Sequence, residues 1–492
     1  MQLLKKIPFF LLLLVLFFCL HGSMENFGFI SLQEVLILGL IIAGLVLVLF
    51  LVIFFFTRNY LFAALISFFI TAWYLFFGAI HDWIKSRAFL SFLHSYTVLL
   101  PLLLVITIAW IVYLRRHKTA HPQWALYLNL LLLIYCSIDG VRIMRSWMAP
   151  AKKTVEPVAF DLGKVKTKPN VYYLLFDEYP GYKSLQDSFG FRNDSLYHFL
   201  ADQEFKVLPS FTNYDFTLFS MSSIFNMQYV DSNYNHQKLT QQDMQQRLQE
   251  IKYGGVISLF KQMGYAFENY SIFDMAGQSS LAARNSMFPV HTPLLTDKIF
   301  HNRIMKDLAW WLVTGRFKMR SVREKYLYRK DRDNQYIEQK IIESAAQKST
   351  TPRFCYGHFL LPHRPYYRDS TGKIRDFKSP DEMYELFFDK EIFISYLKYT
   401  NKVIGSLVKN ITQHDPNAII VVMSDHGFHT FNNSISYNAY NYDNICAVRF
   451  PDKNYMNYKE KWSTVNFFRY LFNCEFGQQL PFLPDSTIWI NL

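Results

Sequence analysis

Residues 418–429 read AIIVVMSDHGFH, and this stretch decides the fold. Ile419 to Met423 are apolar, rich in β-branched side chains, and follow an Asp415-Pro416-Asn417 turn. A short apolar run after such a turn reads as a strand buried on both faces. It stops at Ser424, Asp425, His426 and Gly427. A carboxylate and an imidazole just beyond a buried strand's carboxyl end stand where open α/β sheets bind their ligands. Gly427 reads as a residue with unusual backbone angles, allowing a sharp turn that aims both side chains into one crevice. Asp oxygen with His nitrogen is also half of a divalent-metal site. The plainer alternative is an exposed loop with a capping histidine, and the rest of the chain has to decide between them.

Working outward, the chain from Pro169 onward alternates strands with helices. Val171 to Phe176 (VYYLLF) is a strand ending in Asp177-Glu178, and Phe354 to Leu361 is another, running into Pro362-His363-Arg364-Pro365. Phe205 to Leu208 and Tyr265 to Tyr270 are further strands; Leu196 to Gln203, a polar stretch after Thr240, Gly255 to Met263 and Glu391 to Ile411 have helical spacing. Such alternation predicts a mostly parallel central sheet covered by helices on both sides. The fold class is therefore α/β for residues 169–492.

The first third has a different composition. The whole chain is 51% hydrophobic and 18% aromatic, more than a soluble enzyme needs. Ile7 to Leu20, Val35 to Phe56, Leu61 to Ile80, Tyr96 to Leu114 and Trp124 to Ile138 are uncharged apolar runs, read as about five transmembrane helices within residues 1–148. Lys5 and Lys6, Arg58, and Arg115, Arg116 and Lys118 flank alternate ends and would be cytoplasmic, although Lys85 and Arg87 dilute the bias. Five crossings from a cytoplasmic amino terminus place residues 169–492 outside the cytoplasm, joined by a linker at 149–168. The net charge of +12 belongs with these flanks and calls for no nucleic-acid partner. The five cysteines have no CxxC spacing, so neither a disulfide framework nor a cysteine zinc site is expected.

Three apolar strands end in metal-type residues: Asp177 with Glu178, His358 with His363, and Asp425 with His426. Parallel strands put their carboxyl ends on one edge, so these groups can converge. A nucleophile is sought in FTNYDFTLFSMSSIFNM, residues 211–227, where a helix begins near Leu218. Thr217 would be its N-cap or first-turn residue, beside free N–H groups and the positive helix end, a setting suited to an oxyanion. A divalent ion on the same oxygen would activate the hydroxyl; an ordinary capping threonine is the alternative, and Ser220, Ser222 and Ser223 are fallback nucleophiles. His429 is a spare ligand. The basic, tyrosine-rich run Arg316 to Arg332 is a solvated helix face or a contact for anionic headgroups.

NVYYLLFDEY, NYDFTLFSMSS, GHFLLPHRPY and SDHGF, in that order, resemble the sulfatase-like branch of the alkaline phosphatase superfamily. With the apolar third, the layout is similar to lipoteichoic acid synthases and lipid A phosphoethanolamine transferases. That resemblance implies an extracytoplasmic catalytic domain on a bacterial inner membrane. It implies a threonine that takes a phospho-alcohol group from a phospholipid donor and passes it to an envelope glycan or lipid acceptor. Asp177, Thr217, Asp425 and His426 would then hold Mn²⁺ or Zn²⁺, with Mg²⁺ as an alternative. His358 and His363 would bind the transferred group or protonate the leaving oxygen. Those relatives use Glu at the first ligand, so Glu178 competes with Asp177. The C/S-x-P-x-R motif of true sulfatases is missing near Thr217, which argues against sulfate-ester hydrolysis by that route. A phosphatase or phosphodiesterase giving the group to water, or a non-catalytic member of the fold, are the other readings.

Overall fold

A computed structural model describes residues 1–26, 30–148, 158–230, 239, 241–281, 293–305, 328–377, 380–428, 439–455 and 461–490. The chain forms two compact units, one of residues 1–152 with 283–311, the other of 153–282 with 312–492. The division therefore differs from the sequence boundaries, because a piece of the later sequence joins the N-terminal unit.

Among the described residues of the N-terminal unit, four helices are long and apolar enough to cross a membrane: Leu32–Thr57, Tyr60–Lys85, Tyr96–Arg116 and Lys118–Ser146. The expected first span becomes two pieces, Gln2–Lys6 and Phe10–Glu25. The second, of 16 residues, rises roughly 24 Å, short of the ~30 Å hydrocarbon core. The break falls at Ile7-Pro8, where proline has no N–H to continue the ladder. Carbonyls left over at the break find a partner in Asn129, whose buried amide donates to Leu4 O at 2.8 Å and Ile7 O at 2.9 Å.

Residues 293–305 pack on the helix Tyr60–Lys85. Arg303 pairs with Asp82 at 2.5 Å, and the Tyr74 hydroxyl meets His301 Nδ1 at 2.6 Å. The amide of Gly78 donates to Lys298 O at 2.7 Å, and a Cβ at Gly78 would stand 2.7 Å from Lys298 backbone atoms. Gly78 is therefore glycine because two backbones meet there.

The second unit is built on a sheet. Its strands are β1 (Val171–Phe176), β2 (Lys206–Val207), β3 (Ser210–Phe211), β4 (Ala266–Tyr270), β5 (Arg353–Phe359), β6 (Ile419–Met423), β7 (Cys446–Arg449) and β8 (Trp462–Ser463). Six of them form one sheet in the order β2-β7-β6-β1-β5-β4, and β3 pairs with β8 separately. The four strands β6-β1-β5-β4 are parallel; β7 runs antiparallel to β6, and β2 antiparallel to β7. The mostly parallel sheet is as the alternation predicts, whereas β7 is absent from that reading. It is four residues long and antiparallel to both its neighbours, outside the strand–helix alternation, so no periodicity marks it.

Every residue of β1 and β6 is buried, since β1 is central and both faces are covered. One face packs Leu174, Phe176 and Phe359 against the helices Arg329–Ala346 and Lys390–His414. The other packs Tyr173, Leu175 and Tyr356 against Thr217–Asn226, Gly255–Gln262 and Phe467–Glu475. Fully burying one such side chain is worth about 1.5–3 kcal/mol, which is why these runs contain no polar alternation.

Glu475, the last residue of the helix Phe467–Glu475, is a buried carboxyl beside Asp452. Burial, then the hydrogen bond to Asp452 and its charge, push its pKa from 4.5 to about 8. Between those values the unfolded chain ionises while the folded chain holds its proton. Stability therefore falls as pH rises from about 4.5 to about 8 and stays lower above. Glu475→Gln is expected to flatten that fall, raising the thermal midpoint of the intact protein more at pH 8.5 than at pH 5. Equal shifts at both pH values would disprove the assignment.

Candidate active site

Register creates the site. Leu175 of β1 is paired with Met423 of β6 and with His358 of β5. Two residues beyond that level stand Asp177 and Asp425, just past the carboxyl ends of the adjacent strands β1 and β6. His426 follows, and one ligand atom from each of Asp177, Asp425 and His426 falls within 4.8 Å of the others. All three are buried.

The turn after β6 is held by backbone and hydroxyl contacts. Asp425 Oδ1 accepts from the amides of His426 at 3.0 Å and Glu178 at 3.3 Å, which leaves Oδ2 facing the cluster. Ser424 Oγ accepts from the Tyr179 amide at 2.9 Å and donates to His426 O at 2.7 Å. Gly427 has no left-handed φ, contrary to the expectation from sequence; instead a Cβ there would lie 2.3 Å from Tyr440 O and 2.7 Å from Asp443 O. Space, rather than backbone angle, requires glycine. The left-handed residue is Glu178, at φ 62°, a conformation that costs a non-glycine side chain.

His426 Nδ1 lies 2.8 Å from Gly427 O, and a carbonyl can only accept, so Nδ1 carries a proton. In the neutral ring Nε2 then offers its lone pair to the cluster. It stands 3.2 Å from Thr217 Oγ1, 3.4 Å from Asp425 Oδ2 and 3.7 Å from Asp177 Oδ1. Thr217 is the first residue of the helix Thr217–Asn226, after Phe216 at the N-cap, and its hydroxyl turns to His426. The fallback serines are committed elsewhere: Ser220 to Asp425 O at 2.5 Å, Ser222 to Glu250, and Ser223 to Gln228 O at 2.8 Å, all buried.

Electrostatics match the crowding. Burial and then the Asp425 charge push Asp177 up to about 7, against the pull of His363 and His426. Burial pulls His426 down, but Asp425, Asp177 and Glu178 together outweigh it and carry the ring to about 9. Asp177 Oδ1, Asp425 Oδ2 and His358 Nε2 are buried without a hydrogen-bond partner. Buried polar atoms are normally partnered, and the two carboxylate oxygens left so, together with His426 Nε2 beside them, are a donor set suited to a divalent cation. The residues present fit a metal ion.

His358, on the same sheet face as Tyr356, accepts or donates through Nδ1 to the Tyr356 hydroxyl at 2.8 Å. Burial pulls its pKa down to about 4, so it is neutral near pH 7. His363 stands farther out; its Nδ1 donates to Arg364 O at 2.6 Å and its Nε2 is 3.9 Å from Glu178 Oε2. Glu178 thus faces His363 and lies outside the three-residue group of Asp177, Asp425 and His426. His429 and residues 316–327 of the basic run lie outside the described residues.

Sequence reasoning missed Tyr356 and Lys330. The signal for Tyr356 was its two-residue spacing from His358, which puts both on one face of a strand. Lys330 was absorbed into the basic run. Burial lowers its pKa while the Asp177 carboxylate opposes that, so it stands within the field of the site.

Acids, imidazoles and one hydroxyl gathered at the carboxyl edge of a mostly parallel sheet form the layout of an α/β enzyme acting on oxyanion esters. The family model described as Sulfatase matches residues 217–470, just over half of the 492 residues. The chain belongs to the sulfatase family, a family of ester hydrolases and transferases. A search of curated proteins found no match. Among solved structures, the chain is similar to the C-terminal periplasmic domain of EcEptC from Escherichia coli, at 14% identity and TM-score 0.40, covering 69% of this chain and 94% of that one. The zinc complex of that domain gives 12% identity and TM-score 0.38, covering 65% and 86%. The phosphonate monoester hydrolase of Agrobacterium radiobacter gives 13% and 0.38, covering 65% and 76%.

Proposed function

We propose that this chain is a membrane-anchored transferase that moves a phospho-alcohol group from a phospholipid to a glycan or lipid acceptor of the bacterial envelope, with Thr217 as nucleophile. The observation that carries this reading is the Thr217 hydroxyl, 3.2 Å from His426 Nε2 at the edge where two carboxylate oxygens lack hydrogen-bond partners. Asp177, Asp425, His426 and the Thr217 oxygen would hold the ion, Mn²⁺ or Zn²⁺ before Mg²⁺, and Asp177 rather than Glu178 is the first ligand. When bound, the ion lowers the pKa of the hydroxyl and offsets charge on the phosphoryl oxygens.

This chain's residues supply the rest. Thr217 gives up its hydroxyl proton to solvent, its oxygen attacks phosphorus, the bond to the lipid alcohol breaks, and His363, half-exposed, donates its proton to the departing oxygen. His358, neutral and held by Tyr356, fixes the transferred group through Nε2. The acceptor hydroxyl then gives its proton to His363 as it attacks the same phosphorus, the bond to Thr217 breaks, and Thr217 regains a proton from solvent. The Lys330 ammonium draws the anionic donor toward the site.

With the amino terminus in the cytoplasm, an extracytoplasmic catalytic domain requires an odd number of crossings. The broken pair Gln2–Lys6 and Phe10–Glu25 would supply the fifth, spanning roughly 36 Å if its helices continue in line. Labelled phosphatidylethanolamine and phosphatidylglycerol, offered to the purified protein with envelope lipid and glycan fractions, test the transfer. Label is expected on an acceptor; label released only to water would convert the reading to a phosphodiesterase.

A further inference from the structure

The helix Lys390–His414 lies beside the helix Asp194–Asp202, and between them is a cleft of about 680 Å³. Phe191 and Phe199 line it, each half-buried, and Arg192, Lys398, Lys402 and Lys409 line it with them. The Lys398 ammonium sits 5.5 Å over the Phe191 ring and that of Lys409 5.6 Å over Phe199. Arg192 is paired with Asp194 at 3.1 Å, whereas the three lysines are exposed and have no carboxylate partner among the described residues.

Gly405 also lines the cleft, in the middle of a 25-residue helix where glycine is the poorest choice except proline. Packing does not demand it: a Cβ there would meet only Phe199 ring carbons, at an ordinary 3.9 Å. The helix gives up stability at this position, and the cleft gains depth.

We propose that this cleft binds an anionic glycan, independently of the reaction proposed above. Lys398, Lys402 and Lys409 rise along the helix at intervals of roughly 6 and 10 Å, a row suited to an extended chain with repeated acidic groups. Sugar rings have an apolar face that lies on an aromatic ring, and Phe191 and Phe199 supply two. A lipid surface is flat and meets convex ground; here the aromatic rings and Gly405 make a hollow.

The test uses the full-length protein in neutral detergent and fluorescein-labelled dextran sulfate, followed by anisotropy. Wild type is expected to bind it saturably and to ignore uncharged dextran. Lys398→Glu with Lys402→Glu is expected to weaken binding at least tenfold. Gly405→Leu keeps every charge and favours the helix, and it should weaken binding by a similar factor because it fills the cleft; an unchanged melting temperature verifies the fold of both variants. Lys398→Gln, which leaves packing alone, should weaken binding several-fold. Unchanged binding in the lysine variants would overturn the proposal. So would loss with the lysine variants but not with Gly405→Leu, or equal lysine-dependent binding of phosphatidylglycerol vesicles, since either outcome indicates a flat anionic surface.

Discussion

Thr217→Ala is expected to lower turnover by about 10⁴-fold or more while leaving the fold intact. The hydroxyl is half-buried, and its hydrogen-bond partner within the site is His426 Nε2 at 3.2 Å. Its removal therefore costs the helix little and leaves Asp177, Asp425 and His426 in place. Thr217→Ser restores the oxygen without the methyl group and should recover much of the rate. The serines on the same helix cannot substitute, because Ser220, Ser222 and Ser223 face inward toward Asp425 O, Glu250 and Gln228 O. Single-turnover transfer of labelled headgroup, with circular dichroism as the fold control, checks it. Wild-type rates in Thr217→Ala would remove this residue from the chemistry.

Asp425→Asn should cost the protein its metal, weakening affinity by roughly 100-fold or more with activity falling in parallel. Asparagine still accepts the amides of His426 and Glu178 through its carbonyl oxygen, so the turn keeps its shape. What disappears is the negative oxygen facing the cluster. The metal-free protein should respond far less. Removing the Asp425 charge relieves its repulsion of Asp177 but also takes away the leading charge that holds the His426 ring protonated, so the two effects oppose. Metal-free Asp425→Asn should therefore melt close to metal-free wild type, while metal-loaded wild type melts above both. Metal content by mass spectrometry and thermal scans with and without chelator measure the two arms. A variant that retains full metal would exclude Asp425 from the ligands.

Which residues the fold gathers at the candidate site was largely legible, because the relevant signals are local. VYYLLF and IIVVM are short, rich in aromatic or β-branched residues and read as buried strands, and acids and histidines that end such strands stand out from the chain. The first apolar run shows the limit of that reasoning. Hydropathy registers Ile7 to Leu20 as one segment, whereas Pro8 divides it and Asn129, far away in sequence, satisfies the carbonyls at the break. Residues 293–305 mark the same limit: their partners Tyr74, Gly78 and Asp82 lie more than two hundred positions earlier, beyond any window of periodicity.

The sequence by itself determined the four parallel strands, the four long apolar helices and the inventory of acids, imidazoles and hydroxyls, since side-chain chemistry and a period of two or 3.6 are properties of neighbours along the chain. Only the tertiary structure decided that β6, β1 and β5 are adjacent and that Leu175, Met423 and His358 share a level, which sets Asp177 beside Asp425. It also decided that Glu178 turns to His363, that Thr217 faces the cluster while its neighbouring serines do not, and that Gly427 answers to Tyr440 and Asp443 rather than to its own backbone. Each of these depends on a distance between residues far apart in the chain, and such distances exist only once packing has fixed strand order and register.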